Sequence, residues 1–198
     1  MLIYVTNHKL CKDNFFNRID ELAKGKPLAI VLREKDLNLE EYESLAIQIK
    51  RICYMNKVPL IINQNISIAK KLEIPTIHLS MSDLRTYKNQ THEFAKVGAS
   101  VHSLLEAKEA EELGASYLIA GHIFPTDCKK GIPSRGLSFL KEVCDSVTIP
   151  VFAIGGITKD KVADVLLAGA KGVCIMSEAM TCLNPRELKK SFHYQMDK

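Results

Sequence analysis

Eight short apolar runs, separated by stretches with helical spacing, constrain this chain more than any other feature. They are Leu2 to Val5, Leu28 to Leu32, Leu60 to Ile62, Thr76 to Leu79, Ala95 to Ala99, Tyr117 to Ala120, Val151 to Ile154 and Gly172 to Ile175. Most are continuously hydrophobic rather than alternating, as in a parallel sheet covered on both faces. Between the second and third runs, Tyr42, Leu45, Ala46, Ile49, Ile52 and Cys53 form one apolar helical stripe, and Phe15, Ile19, Leu22 and Ala23 form another after the first run. Gly114 and Gly169 stand where helices end in left-handed caps. Asn184-Pro185 reads as the cap and first position of the last helix. Strand and helix alternating eight times predict an α/β fold, a compact single-domain (β/α)8 TIM barrel over residues 1–198. The competing doubly wound open sheet lacks its Gly-rich turn after the first strand.

A chain of 198 residues can bury a substantial core, and 46% hydrophobic with 25% charged residues is ordinary for a globular protein. The net charge of +4 is mild and its Lys and Arg are spread out, which argues against a nucleic-acid partner and suits a small anionic ligand. Met1 to Thr6 lacks the basic start and apolar length of a signal segment, and no run approaches membrane-spanning length. The expectation is a cytoplasmic protein with no membrane partner; a homo-oligomer is compatible with it. The six cysteines form no CxxC pair and no zinc-module spacing with histidine, so no metal site is expected from them.

Strand exits of a parallel barrel converge on one rim, where active sites lie. Here the exits carry Arg33, Glu34 and Lys35, then Asn63, Ser80 to Asp83, Ser100 and His102, His122, Gly155-Gly156, and Met176-Ser177. The stretch from Gly121 to Gly131 sets a histidine directly after the sixth run and follows it with Thr126, Cys128, Lys129 and Lys130. A histidine so placed can titrate near neutrality and move protons. The two lysines are suited to attracting an anionic substrate. Gly155, Gly156, Met176 and Ser177 stand at the seventh and eighth exits, where barrel enzymes often bind phosphate through backbone N–H groups. His78 lies inside a strand and reads as a hydrogen-bonded core residue; His102 reads as a cap or packing residue.

Several blocks in order resemble the thiamin phosphate synthase superfamily across about Leu28 to Ala179. They are Leu32-Arg33-Glu34-Lys35, Ile61-Ile62-Asn63, His78-Leu79, Ser100-Val101-His102-Ser103, Gly121-His122-Ile123-Phe124-Pro125-Thr126, Lys129-Lys130-Gly131, Ile149 to Ile157, and Ala168 to Val173. The resemblance implies a pyrophosphate contact at Arg33, Lys35, Asn63 and Ser100, and a thiazole phosphate contact at Thr126, Gly156 and Ser177. Departures matter as much. Val31 stands where synthases carry Gln, Gln64 where they carry a metal-binding Asp, Ser80-Met81-Ser82 in place of Gly-Gln-Glu before Asp83, and His122 in place of Pro. Mg²⁺ prefers carboxylate and phosphate oxygens, so Gln64 weakens the metal site.

Gly-His, an aliphatic residue, Phe and then Thr-Asp-Cys-Lys-Lys-Gly resemble the thiazole tautomerase branch of the same superfamily. That branch implies a small-molecule substrate, a carboxythiazole ethyl phosphate aromatised by histidine-mediated proton transfer, with no cofactor. His122 is the implied proton carrier, Glu34 or a water a possible assistant, and Arg33 a bidentate holder of the carboxylate. Two other readings stay open: a synthase that condenses a pyrimidine pyrophosphate with a thiazole phosphate using Mg²⁺, and a non-catalytic binder of thiamin-type phosphates.

Overall fold

Along the strands, side chains alternate between an inner and an outer layer, and pairing of the last strand with the first closes the sheet. In the computed structural model, which describes residues 1–129 and 131–193, the strands are β1 Leu2–Val5, β2 Ala29–Leu32, β3 Leu60–Asn63, β4 Thr76–Ser80, β5 Lys96–Val101, β6 Tyr117–Gly121, β7 Val151–Ile154 and β8 Gly172–Ile175. They form a closed parallel barrel in chain order, with β8 returning to β1 through Leu2↔Val173, Ile3↔Cys174 and Tyr4↔Ile175. Ile3, Val5, Val31, Ile61, Tyr117, Ile119, Phe152 and Cys174 make the inner cluster. Their strand neighbours, among them Leu2, Tyr4, Ile30, Leu32, Ile62, Leu118 and Val173, pack outward against the helices. Coverage on both faces explains the continuous apolar runs.

The helices among the described residues are α1 Phe15–Lys24, α2 Leu39–Met55, α3 Ile66–Lys71, α4 Met81–Tyr87, α5 Leu104–Glu112, α6 Gly136–Ser146, α7 Val162–Leu167, α8 Ser177–Thr181 and α9 Leu188–His193. The stripe read on α2 is the buried one: Tyr42, Ala46, Ile49 and Cys53 face the core, and Asn38 with Glu41 closes a capping box at its start. Gly114 and Gly169 adopt positive φ at their helix ends, as expected. None of the described helices is long and apolar enough to cross a membrane.

Several boundaries differ from expectation: β3, β4 and β6 each run one residue further, to Asn63, Ser80 and Gly121. β2 begins at Ala29, leaving Leu28 exposed. β5 runs through Val101, so Ser100 lies within the strand rather than past it. Pro185–Glu187 form a 3-10 turn ahead of α9, and the Asn184 side chain makes no cap hydrogen bond. The expectation for Lys130 falls outside the described residues.

Candidate active site

The β6–α6 connection is tied down at both ends by backbone hydrogen bonds. Ile123 N–H donates to Ile154 O at 2.9 Å and Phe124 N–H to Gly155 O at 3.0 Å, joining the loop to the β7 exit. Arg135 N–H donates to His122 O and Gly136 N–H to Ile123 O, each at 3.0 Å. His122 is therefore held, and it is buried at 8% exposure rather than open as a strand-exit side chain would be. Its Nε2 lies 3.2 Å from Ile132 O. A carbonyl only accepts, so Nε2 carries a proton in this contact.

Gly155 and Gly156 make this packing feasible. Their φ angles are +100° and +64°. A Cβ at Gly155 would stand 2.3 Å from His122 Cβ, and one at Gly156 would stand 2.3 Å from Pro125 O. The glycines are required by the approach of the β6–α6 loop, a reason separate from leaving room for an oxyanion.

His122 forms part of the wall of a cavity of about 740 Å³ at the barrel mouth. Arg33, Thr126, Gly155, Gly156, Met176 and Ser177 line the same cavity, so the structure brings these candidates together. Ser177 opens α8, and its Oγ is 3.8 Å from Cys128 Sγ. The Arg33 guanidinium rests on Met176, with Nη1 3.9 Å from Sδ, and no ion pair joins it among the described residues. Lys35 is exposed nearby; burial, Arg33 and Lys129 lower its pKa, with Asp83 opposing them. A cluster of positive charge thus stands on the β2 side of the mouth.

Two cavity residues went unassigned or underrated in the sequence. Lys161 lines the cavity; its Nζ donates to Gly156 O at 3.0 Å and sits 4.8 Å from the centre of the Phe124 ring. No motif signals it, because it follows a turn rather than a strand. His102 was read as a cap, yet its exposed ring also lines the cavity. Its Nδ1 lies 2.5 Å from Gly121 O, so Nδ1 carries a proton in this contact.

Other candidates lie elsewhere. Glu34, Lys35 and Asn63 line a second cavity of about 290 Å³ with Gln64, Asn65 and Tyr42. Glu34 is buried and accepts from Thr6 Oγ1 at 2.5 Å and His8 N–H at 2.9 Å, with His8 Nδ1 at 2.8 Å. Its carboxylate is committed to the β1 side, and the structure does not bring it into the His122 cavity. Ser100 lines neither cavity; its Oγ is 2.8 Å from His78 Nε2.

The resemblance sets a metal position at Gln64 and Asp83. Gln64 turns its amide N–H toward Asp83 Oδ2 at 2.6 Å while its Oε1 accepts from Asn63 at 3.0 Å. Ser80 Oγ–H donates to the same Asp83 oxygen at 2.6 Å. Asp83 is the lone carboxylate of this group, and the amide oxygen faces away from it. Among the described residues, His8, Glu34 and Asp36 form the one cluster with ligand atoms close together. There Lys9 Nζ, 2.9 Å from Asp36, already supplies the countercharge.

A family model described as thiamine monophosphate synthase matches residues 2–179. The chain belongs to that family. Membership places it among the enzymes of thiamin biosynthesis. The thiamine-phosphate synthase of Methanobrevibacter smithii is 35% identical over 187 residues, covering 93% of this chain and 90% of that one. That of Clostridium acetobutylicum is 35% identical over 179 residues, covering 89% and 85%. The solved thiamine phosphate pyrophosphorylase from Pyrococcus furiosus superposes with a TM-score of 0.87 at 29% identity, covering 99% of this chain and 95% of that one. The resemblance read from the sequence therefore holds for the family; these relatives carry the names of synthases or of a pyrophosphorylase.

Proposed function

We propose that the chain is a thiazole tautomerase of thiamin biosynthesis. The observation that carries this reading is His122, its Nε2 held by Ile132 O, in the wall of a cavity that Arg33, Thr126, Gly156 and Ser177 also line. The substrate is a 2-carboxy-4-methyl-5-ylidene dihydrothiazole ethyl phosphate. A base takes the C2 proton, and the C–H pair becomes the ring C2=N bond. The former N=C4 pair moves to C4=C5, and the exocyclic double-bond pair takes a proton at the ylidene carbon. Atoms and charge balance, and the product is the aromatic isomer.

His122 accepts the first proton in this scheme; the same ring, or His102 from the same cavity, delivers the second. Arg33 holds the carboxylate, while Gly156, Ser177 and Thr126, with Lys161, hold the phosphate. The chemistry calls for no metal, consistent with a Gln64–Asp83 pair that faces the wrong atoms for one.

The test is to incubate the pure protein with the unaromatised carboxythiazole phosphate in D₂O. Aromatisation well above the protein-free rate, with deuterium entering the side-chain carbon next to the ring, supports the reading. Aromatisation at the protein-free rate rejects it.

A second reading has a specific observation behind it. The relatives' names favour a thiamin phosphate synthase, with Arg33, Lys35, Asn63 and Ser100 toward pyrophosphate and Mg²⁺ as the required ion. Efficient Mg²⁺-dependent formation of thiamin phosphate from the pyrimidine pyrophosphate and the thiazole phosphate would establish it.

A further inference from the structure

Where β1 and β2 end, their hydrogen-bond ladder passes from the backbone to side chains. A backbone rung runs from Thr6 N–H to Val31 O at 2.9 Å. The next rung of a parallel pair would join Arg33 N–H to Thr6 O. The Thr6 hydroxyl takes that bond instead, at 3.0 Å. One step on, His8 N–H donates to Glu34 Oε2 at 2.9 Å, where a continuing ladder would offer it Arg33 O. Thr6 O–H donates to the other Glu34 oxygen at 2.5 Å and so joins the two substituted rungs.

Thr6 and Glu34, at the centre of this clamp, are both buried. A threonine hydroxyl has one proton to give. With that proton on Glu34 Oε1, its lone pairs are left for Arg33 N–H. Val31 belongs to the inner cluster and Leu32 to the outer one. The clamp carries this alternation two residues past the strand: Arg33 lines the His122 cavity, and Glu34 turns to Thr6 and His8. The guanidinium itself rests on Met176, whose thioether is only a weak acceptor. The backbone anchor is therefore what aims this side chain.

We propose that Thr6, itself oriented by Glu34, is a positioning residue that aims the Arg33 guanidinium at the anionic oxygens of the ligand. Glu34 then serves the reaction without touching the substrate. The inference rests on the preceding reading for Arg33 as the anion holder and for the identity of that anion: the ring carboxylate for a tautomerase, pyrophosphate for a synthase.

Calorimetry on the whole protein tests this with three probes: the aromatic 2-carboxythiazole ethyl phosphate, the same compound without its carboxyl group, and inorganic pyrophosphate with Mg²⁺. Arg33→Ala sets the size of the contact. Thr6→Val, which keeps the shape and removes the hydroxyl, should weaken the carboxylated compound about tenfold, the scale of a hydrogen bond to a charged group, and leave the decarboxylated one unchanged. Thr6→Ser, which keeps the hydroxyl, should recover most of that loss. Adding Thr6→Val to Arg33→Ala should cost nothing further, because the threonine acts through the arginine. Glu34→Gln, whose amide cannot accept from both Thr6 and His8, should weaken the same probe, and it takes the place of Thr6→Val should that variant fail to fold. A loss confined to pyrophosphate would keep the clamp and reject the tautomerase reading. Undiminished binding by folded Thr6→Val where Arg33→Ala is weakened, or a loss shared equally by the carboxylated and decarboxylated compounds, would overturn the proposal and leave that reading standing. Every probe bound equally by Arg33→Ala and the parent would remove the contact itself, and the proposal with it.

Discussion

Gln64 gives its amide N–H to Asp83 across 2.6 Å, at the place where the family resemblance sets a pair of metal-binding carboxylates. Burial pushes the Asp83 carboxyl up, but hydrogen bonds from Gln64 and Ser80, with Lys35 nearby, outweigh it and hold the group below its ordinary range. An amide paired to a carboxylate is a neutral substitute for the cation that a second carboxylate would need.

Restoring that carboxylate should restore the cation. Gln64→Asp is expected to bind Mg²⁺ at least about tenfold more tightly than the parent, since Mg²⁺ sites depend on carboxylate oxygens. Titration calorimetry with MgCl₂ measures it. Equal and weak Mg²⁺ affinity in both proteins would show that the missing ligand is not what weakens the site.

The two cavity histidines should separate cleanly. His122→Gln is expected to slow aromatisation by roughly 10²-fold, the lower end of one acid–base group, with a much smaller change in product affinity. His102→Gln should cost less if the His122 ring both takes and returns the proton. Stopped-flow absorbance at the thiazole band reads both. Full turnover in His122→Gln would move the first proton transfer to His102.

Gly155→Ala should damage stability and rate together. The new Cβ would meet His122 Cβ at 2.3 Å, on a backbone at φ +100°. The expected cost is about 1–3 kcal/mol in urea unfolding, from strain and displacement. Aromatisation should fall with it, because the displaced ring leaves Ile132 O. A variant as stable and as active as the parent would mean that the His122–Gly155 packing does not position the ring.

His78 makes stability depend on pH in a known direction. Its folded pKa is depressed to about 3, below the ordinary histidine value, because burial disfavours the charged ring. Its contribution is therefore fully present above about pH 6.5 and is lost as pH falls toward the folded value, since the unfolded chain binds the extra proton. Below pH 6.5 that loss approaches about 1.4 kcal/mol per pH unit. Urea unfolding at pH 7 and pH 5 should show a shallower decline in His78→Gln than in the parent. Parallel declines would show that His78 is not the group responsible.

The barrel was legible because six of its strands present apolar residues to both layers, and β4 adds Ile77 and Leu79 to the outer one. β5 was the faint one, and the reason is specific: its inward positions hold Gly98 and Ser100, and the interior volume there is filled by Tyr117 from β6. The mouth was legible as a set of strand exits, but neighbouring exit residues part company in space. Arg33 lines the His122 cavity while Glu34, one residue on, is buried against Thr6 and His8. Spacing along the chain cannot tell which of two adjacent side chains turns inward once the strand has ended. Lys161 was invisible for a related reason: the loop fold, not a strand, delivers it.

Lys161 enters the cavity wall already immobilised, its ammonium bonded to Gly156 O and laid over the Phe124 ring. A free lysine that closes on a ligand gives up about 0.5–1.5 kcal/mol of side-chain freedom at that moment. Here that ordering happens when the chain folds. A phosphate seated at this end of the mouth would meet a standing charge, so its binding should carry a smaller entropic penalty than the lysine count of the cavity suggests.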